Sequence, residues 1–245
     1  MECKICKKNS KLIFNKKLMN KYIVDYYQCT NCELIQTEEP YWLEEAYKDP
    51  ISDNDTGLLS RNINLSRMVT LLILFYFNKK GKYLDFAGGY GIFTRLMCDN
   101  GFNFLWQDLY SKNLFAKGFE WDIKNKEYAE MITTFESFEH FIDPSKELKD
   151  MLSITDNILF STELIPKDNL EDWWYFGFEH GQHINFYSEK TLKFLANKYN
   201  LHYYTDKKNI HIYTRKKMAI NINLLITLDK LDFTSIMKKI TLNKK

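Results

Sequence analysis

The chain has 245 residues, enough for one domain of ordinary size and a small appendage. Hydrophobic residues make up 45% and charged residues 27%, the balance of a globular protein. The net charge of +2 gives no overall sign of a nucleic-acid partner, and none is expected.

The longest apolar run covers residues 68–77, broken only by Thr70. At about ten residues it is too short for a bilayer span and predicts a buried helix. The opening residues, Met1-Glu2-Cys3-Lys4, do not resemble a signal peptide. We therefore expect a cytoplasmic protein without a membrane span.

Four of the five cysteines form two pairs, Cys3-x-x-Cys6 and Cys29-x-x-Cys32. Reducing conditions disfavour disulfides, and two such turns complete a tetrahedral thiolate shell around one metal ion. We predict a structural zinc in a β ribbon over residues 1–40, which Pro40 closes. The fifth cysteine, Cys98, is interpreted as a packing residue.

Beyond the ribbon, strand and helix patterns alternate. The predicted elements are helix 65–78, strand 83–86, helix 92–100, strands 104–107 and 131–135, helix 144–152, strand 157–162, helix 188–199, and strands 201–205 and 209–214. This alternation predicts an α/β fold with a mostly parallel sheet covered on both faces, and the last two strands predict an antiparallel edge. We assign residues 41–216 to this domain.

Residues 217–245 form a basic extension to which the sequence assigns no role. From Asp206 onward there are ten Lys or Arg and three Asp. A solvated tail is the simplest explanation of this bias, and a functional patch is the alternative.

Residues 84–91 form a glycine-rich turn between a predicted strand and a predicted helix. Small residues there let the backbone approach a ligand closely, and the helix offers free N–H groups. Asp108 follows Gly91 by 17 residues, where an acidic side chain can bind ribose hydroxyls. Asp85 suits an amino-acid ammonium group better than a pyrophosphate, which favours S-adenosylmethionine (SAM) over a dinucleotide.

Several segments resemble class I SAM-dependent methyltransferases. Residues 85–91 are similar to the D-x-G-x-G-x-G motif, with Ala87 in place of the first glycine, and residues 133–144 are similar to F-E-x-x-E-H-x-x-D-P. Residues 173–188 resemble a segment of methyltransferases from polysaccharide gene clusters, and the cysteine ribbon resembles that of sugar methyltransferases. The likeness extends to about Arg215.

The resemblance implies a Rossmann-like methyltransferase sheet with helices on both faces, preceded by a small zinc ribbon. It also implies SAM as cofactor. The predicted cofactor-binding residues are Asp85, Ala87, Gly88, Gly89, Gly91, Asp108, Leu109, Phe119, Glu120 and Phe135. A lid formed by residues 55–57 with Arg61 and Asn62 is a further expectation from the likeness.

Methyl transfer to a sugar hydroxyl needs alignment of the nucleophile and benefits from a general base. The segment from Gln182 to Ser188 is similar to the E-H-x-x-Y-F-S stretch that carries the base in sugar C-methyltransferases, which makes His183 the first candidate. Gln182 replaces the glutamate of that stretch, so proton abstraction from carbon is disfavoured. The further catalytic candidates are His180, His140 and Glu136. For each histidine, a role limited to hydrogen bonding within its loop is the alternative.

The dense aromatic residues 173–178 predict either a stacking platform for a sugar ring or a hydrophobic plug. The leading functional hypothesis is O-methylation of a sugar in a bacterial surface polysaccharide or of its nucleotide-linked precursor. A small phosphorylated or amino metabolite is an alternative acceptor. An inactive binding module built from the same two parts is a third hypothesis.

Overall fold

The computed structural model describes residues 1–48, 56–122, 127–219 and 221–231. Its N-terminal part is an antiparallel ribbon of β1 (Ser10–Leu18), β2 (Tyr22–Cys29) and β3 (Ile35–Thr37), followed by the short helix α1 (Leu43–Ala46). The edge of β3 pairs with a two-residue strand, Asn185–Phe186, from far along the chain. The ribbon therefore shares a four-stranded sheet with the segment that carries two of the candidate histidines.

Helix α2 (Leu58–Tyr76) begins seven residues before its predicted start. By length and composition alone this helix could cross a membrane. Within its most apolar stretch of 18 residues, 44% is buried inside the protein. Its buried side chains, among them Val69 and Leu72, pack in one hydrophobic cluster with Tyr83 and Phe104 of the large sheet. These contacts are those of a core helix, in agreement with the prediction.

The large sheet has six strands in the order β5-β4-β6-β7-β10-β9. They are β4 (Lys82–Phe86), β5 (Asn103–Gln107), β6 (Met131–Thr134), β7 (Asn157–Ser161), β9 (His202–Thr205) and β10 (Ile210–Thr214), and β8 is Asn185–Phe186 in the ribbon sheet. Strands β4 to β7 run parallel, whereas β10 is antiparallel to both β7 and β9. The predicted mixed α/β fold with an antiparallel edge is confirmed.

Neighbouring residues of each strand point to opposite faces of this sheet, and both faces are covered. Tyr83 and Leu159 pack on the side of α2 and α3 (Ile92–Asp99), whereas Leu84 and Ile158 pack on the side of α4 (Pro144–Leu152) and α5 (Glu189–Lys198). This alternation follows from the two-residue period of a strand. It gives the Rossmann-like sheet with helices on both faces.

Local capping determines where two of these helices begin. The Asp143 carboxylate accepts hydrogen bonds from the first turn of α4, where Pro144 occupies the first position. Ser188 and Thr191 form a capping box at the start of α5. The start of α4 is the predicted one, and α5 begins one residue after its predicted start, because the signals for both are local.

Part of the basic C-terminal extension is helical. Helix α6 (Ile222–Lys230) is capped by the Asn221 side chain, and its Ile222 and Leu225 are buried in the cluster around α2. The Tyr76 hydroxyl donates to the carbonyl of Ala219 at 3.0 Å. Residues 221–231 therefore pack on the domain, and a freely solvated tail does not describe them.

Candidate active site

The glycine-rich turn joins β4 to α3, and Asp85 lies at the carboxyl end of β4. Asp85 is buried, and its carboxylate accepts hydrogen bonds from the hydroxyls of Thr94 (2.8 Å) and Thr133 (3.1 Å). Burial raises the pKa of Asp85 to about 7. A carboxyl in such a position gains from a cationic partner in the adjoining cavity.

The turn itself has the shape of a ligand cradle. A Cβ atom on Gly88 would lie 2.7 Å from both Asp85 Oδ2 and Trp106 Cδ1, so this position requires glycine. Gly89 and Gly91 have φ values of +54° and +84°, and a Cβ on Gly89 would meet no atom within 4 Å. The backbone at Gly89 is therefore left open to a ligand.

Ala87 also lies in the left-handed region, with φ +55°. A non-glycine residue there costs ~1 kcal/mol. Ala87, which replaces the first glycine of the motif, therefore keeps the left-handed backbone conformation that a glycine would adopt.

Asp108 lies at the carboxyl end of β5 and connects two loops. Its Oδ2 accepts the N–H of Gly89 at 2.9 Å, and its Oδ1 accepts the N–H groups of Tyr110 (2.8 Å) and Ser111 (2.7 Å). Each carboxylate oxygen has two acceptor sites, so one site on Oδ2 remains for a hydroxyl donor. Asp108 can therefore bind a ligand while it holds the glycine turn in place.

One cavity of about 840 Å³ connects these groups to the candidate histidines. Of the predicted cofactor residues, those that line it are Asp85, Ala87, Gly88, Gly89, Asp108, Leu109 and Phe135. Gly91 begins α3 and does not line it. Phe119 and Glu120 also lie outside its lining, and the Glu120 carboxylate accepts from Asn113 and the N–H of Gly118.

All four predicted catalytic residues, Glu136, His140, His180 and His183, line the same cavity. The expected lid residues Arg61 and Asn62 line it from α2, whereas Asp55 lies outside the described residues. The structure thus brings together side chains that are far apart in the sequence, such as Arg61 and His183.

His183 and His180 differ in which ring nitrogen carries the proton. Nδ1 of His183 lies 2.6 Å from the carbonyl oxygen of Tyr175, which can only accept, so Nδ1 carries the proton and Nε2 keeps its lone pair. In contrast, the N–H of Gln182 donates to Nδ1 of His180 at 3.1 Å. His180 therefore carries its proton on Nε2 and lacks a lone pair for a second partner.

His140 has the same arrangement as His183. Its Nδ1 lies 3.1 Å from the carbonyl oxygen of Gln182 and 3.0 Å from the Tyr47 hydroxyl. Burial, with His180 nearby, lowers the pKa of His140 to about 4, and burial holds the pKa of His183 well below its usual range. Both imidazoles are neutral at physiological pH.

Two carboxylates adjoin the histidines. Glu136, with φ +49°, accepts a hydrogen bond from the Ser161 hydroxyl. Glu139 is fully buried, and its Oε1 accepts from the Tyr175 hydroxyl at 2.6 Å. Burial and then the charge of Glu136 raise the pKa of Glu139 to about 8. Glu139 received no predicted role, although its position in the E-x-x-E-H segment was the available signal.

Gln182, which replaces a glutamate of the related segment, anchors the N-terminal part of the chain. Its Nε2 donates to the carbonyl of Ala46 at 2.8 Å, and Trp42 Nε1 donates to the carbonyl of Gly181 at 2.7 Å. An ionised glutamate could not donate to a carbonyl. The Gln182 amide therefore fits a position where α1 meets the loop that carries His180 and His183.

The aromatic residues 173–178 divide between the two predicted roles. Trp173, Phe176 and Phe178 pack in a hydrophobic cluster with residues of β1 and β2, as expected for the hydrophobic plug. Trp174 and Tyr175 line the cavity, and Trp174 is 72% exposed. Only Trp174 combines a cavity position with an accessible ring face among these described aromatics.

The four cysteines of the ribbon converge. The sulfur atoms of Cys3, Cys6, Cys29 and Cys32 all lie within 4.8 Å of one another. Cys98 lies on α3, away from this cluster. A donor set of four thiols at this spacing suits a tetrahedral zinc site.

A βαβ sheet with a glycine cradle and an acidic residue after the second strand is an arrangement that binds adenosine-type cofactors. A family model described as a methyltransferase domain matches residues 61–205, more than half of the chain. The chain belongs to this methyltransferase family.

Solved structures of similar fold include two methyltransferases and OxaC. CalO1 of calicheamicin biosynthesis, bound to S-adenosylhomocysteine (SAH), is 14% identical over 66% of this chain and 55% of its own, with a TM-score of 0.48. OxaC is 20% identical over 55% of this chain and 42% of its own (TM-score 0.43). Magnesium protoporphyrin IX methyltransferase from Synechocystis PCC 6803 is 11% identical over 72% of this chain and 96% of its own, with a TM-score of 0.48. The chain spans about half the length of the first two. No curated protein matches the sequence.

Proposed function

We propose that the protein transfers a methyl group from SAM to a hydroxyl of a sugar in a bacterial surface polysaccharide or its nucleotide-linked precursor. The observation that carries the proposal is one cavity that is lined both by the glycine turn and by His183. A cofactor at one end and a hydroxyl at the other would meet within it, as an in-line displacement requires.

The residues around the glycine turn fit SAM. We assign the amino-acid ammonium to Asp85, whose raised pKa a cation would lower, and a ribose hydroxyl to Asp108. Gly88 and Gly89 let the backbone approach the cofactor, and Leu109 and Phe135 supply apolar walls. SAM supplies an electrophilic methyl carbon on a sulfonium.

At the acceptor end, we place the hydroxyl oxygen at His183. Its Nε2 lone pair allows two roles, acceptance of the hydroxyl proton or coordination of a cation that binds the hydroxyl. The exposed ring of Trp174 at the same cavity offers an apolar face on which a sugar can stack.

One observation supports an alternative acceptor. Arg61 lines the cavity, and a guanidinium is suited to a phosphate group. A small phosphorylated metabolite would use this residue, as would the diphosphate of a nucleotide sugar.

We further infer that the cysteine cluster holds a structural zinc ion. With four thiolates as ligands, the ion would have no open position for a substrate. Its contribution would be to the folding of residues 1–40, which form too small a core on their own.

The function is tested by calorimetry with SAM and SAH, followed by incubation with a panel of nucleotide sugars. We expect one cofactor per chain and a product heavier by one methylene group, detected by mass spectrometry. Activity only on phosphorylated non-sugar compounds would support the alternative acceptor. A protein that does not bind SAM would be the inactive module of the third hypothesis.

A further inference from the structure

A cluster of three potential ligands lies beside the acceptor end of the cavity. One donor atom from each of Glu139, His140 and His183 lies within 4.8 Å of the other two. His140 and His183 line the cavity, and their ring centroids are 4.9 Å apart. This convergence is not needed for a lone base, for which a single imidazole suffices.

Glu139 supplies an independent observation. Its side chain is fully buried, and its Oε2 has no hydrogen-bond partner in the described parts of the chain. A buried carboxyl oxygen without a partner is costly, and such polar atoms are normally hydrogen-bonded or bound to a cation. The Tyr175 hydroxyl donates to Oε1, and the Thr162 side chain also interacts with this carboxyl group. The second oxygen is thus left for a ligand.

The hydrogen bonds of both histidines also match those of metal ligands. Nδ1 of His183 faces the carbonyl of Tyr175, and Nδ1 of His140 faces that of Gln182. A ligating imidazole almost always donates its other N–H to a carbonyl or carboxylate, which orients the ring and keeps its lone pair available. His180, whose Nδ1 is an acceptor, lacks this arrangement.

We propose that Glu139, His140 and His183 bind a divalent transition-metal ion that receives the acceptor hydroxyl. Two imidazoles and one carboxylate favour an ion such as Mn²⁺, Fe²⁺, Co²⁺ or Zn²⁺ over Mg²⁺ or Ca²⁺. Three protein ligands leave coordination positions open to substrate oxygen.

The chemistry rests on the proposed function. The bound hydroxyl becomes more acidic and releases its proton to solvent. Its oxygen then forms the bond to the methyl carbon, and the electron pair of the broken S–C bond remains on sulfur, which yields SAH. His183 acts in this scheme as a ligand and not as the proton acceptor.

The test uses the full-length protein with its cysteine cluster intact and measures metal binding directly. Mn²⁺ is the probe, because it prefers oxygen and nitrogen ligands and does not compete for thiolates. Its free concentration is followed by electron paramagnetic resonance, after metal analysis of the purified protein. We expect one Mn²⁺ site, or a second tightly held metal ion beyond that of the cysteine cluster.

Glu139→Gln should weaken this binding at least ~10-fold. It retains the shape of the side chain and an acceptor for Tyr175, and its SAM affinity reports whether it is folded. Glu163→Gln is the matched control, since Glu163 is a half-buried carboxylate that accepts from Asn209 and lies outside the cavity. If Glu139→Gln fails to fold, His183→Gln serves in its place, with the exposed His202→Gln as control.

Wild-type protein that binds SAM but neither retains a second metal ion nor binds Mn²⁺ would overturn the metal site and leave the proposed function intact. Equal Mn²⁺ binding by wild type and Glu139→Gln would also overturn it. Mn²⁺ binding without SAM binding would instead contradict the proposed function.

Discussion

The carboxylate of Asp108 accepts the backbone N–H of Gly89 at 2.9 Å, across two loops that are separate in the sequence. The same carboxylate accepts two more N–H groups from the segment after β5. The residue predicted to bind ribose is therefore also the residue that holds the glycine turn against that segment. Substitution at this position affects both properties.

Asp108→Ala should weaken SAM binding by ~1.5–3 kcal/mol through loss of a charged hydrogen-bond acceptor. Affinity should fall further because the glycine turn loses the bond from the Gly89 N–H. Calorimetry measures the affinity. Asp99→Asn is the control, because Asp99 pairs with Arg95 on the exposed side of α3. Equal SAM affinity of Asp108→Ala and wild type would show that Asp108 does not hold the ribose.

Asp85 should couple pH to both stability and cofactor binding. Its pKa is about 7 in the fold and ~4 when unfolded, so its ionisation destabilises the cofactor-free protein increasingly as pH rises between these values. Asp85→Asn should therefore raise the melting temperature of the cofactor-free protein above pH ~7 and have little effect near pH ~4.

The effect on SAM should have the opposite sign. An ammonium group prefers the ionised carboxylate, so wild-type affinity should fall as pH decreases through about 7, and Asp85→Asn should bind weakly throughout. Calorimetry at several pH values checks this. A wild-type affinity that does not change across neutral pH would contradict the assignment of the ammonium to Asp85.

His183→Ala should lower kcat by ~10²–10⁴-fold while SAM affinity stays nearly unchanged. The reason is that His183 would either accept the proton of the acceptor hydroxyl or bind the cation that holds this hydroxyl. If the residue only supports its loop, the substitution should reduce thermal stability or acceptor binding and leave kcat within a few-fold. A larger loss of kcat in His180→Ala would place the catalytic histidine three residues upstream.

Trp174→Ala should raise the KM for the acceptor and leave the Kd for SAM unchanged, because the exposed ring lies in the cavity and contributes little to the core. Loss of a stacking face costs ~0.5–1.5 kcal/mol, about 2- to 12-fold in KM. Leu59→Ala, an exposed apolar residue outside the cavity lining, is the control. An unchanged KM would exclude Trp174 as a sugar platform.

Cys29→Ser should remove about one equivalent of zinc and make the protein prone to aggregation, since the ribbon depends on the ion. Metal analysis of freshly purified protein measures it. Cys98→Ser should retain the zinc, because Cys98 lies on α3 away from the cluster. Identical zinc content in wild type and Cys29→Ser would show that the cysteine cluster is not the site.

The features that could be predicted from the sequence alone are mostly those set by interactions between residues close together in the chain. The start of α5 at Ser188 follows from a capping box, the turn at Gly88 from steric limits, and the alternation of Tyr83 and Leu84 from the strand period. The cysteine spacing likewise predicted the cluster of four sulfurs, although zinc itself stays a proposal. These are interactions over a few residues, which amino-acid order specifies directly.

The tertiary structure decided what depends on distant contacts. The seven additional residues at the start of α2 carry no sequence signal that the prediction used, and α6 is placed by packing of Ile222 against that helix. Which nitrogen of His180 or His183 bears a proton is set by the carbonyl or N–H that the folded loop places beside it. The convergence of Glu139, His140 and His183 joins segments about 40 positions apart, which the bond from the Ile184 N–H to the Glu139 carbonyl links at 2.9 Å. Closing a loop of this length costs entropy that packing of the whole core offsets, so no local pattern predicts it.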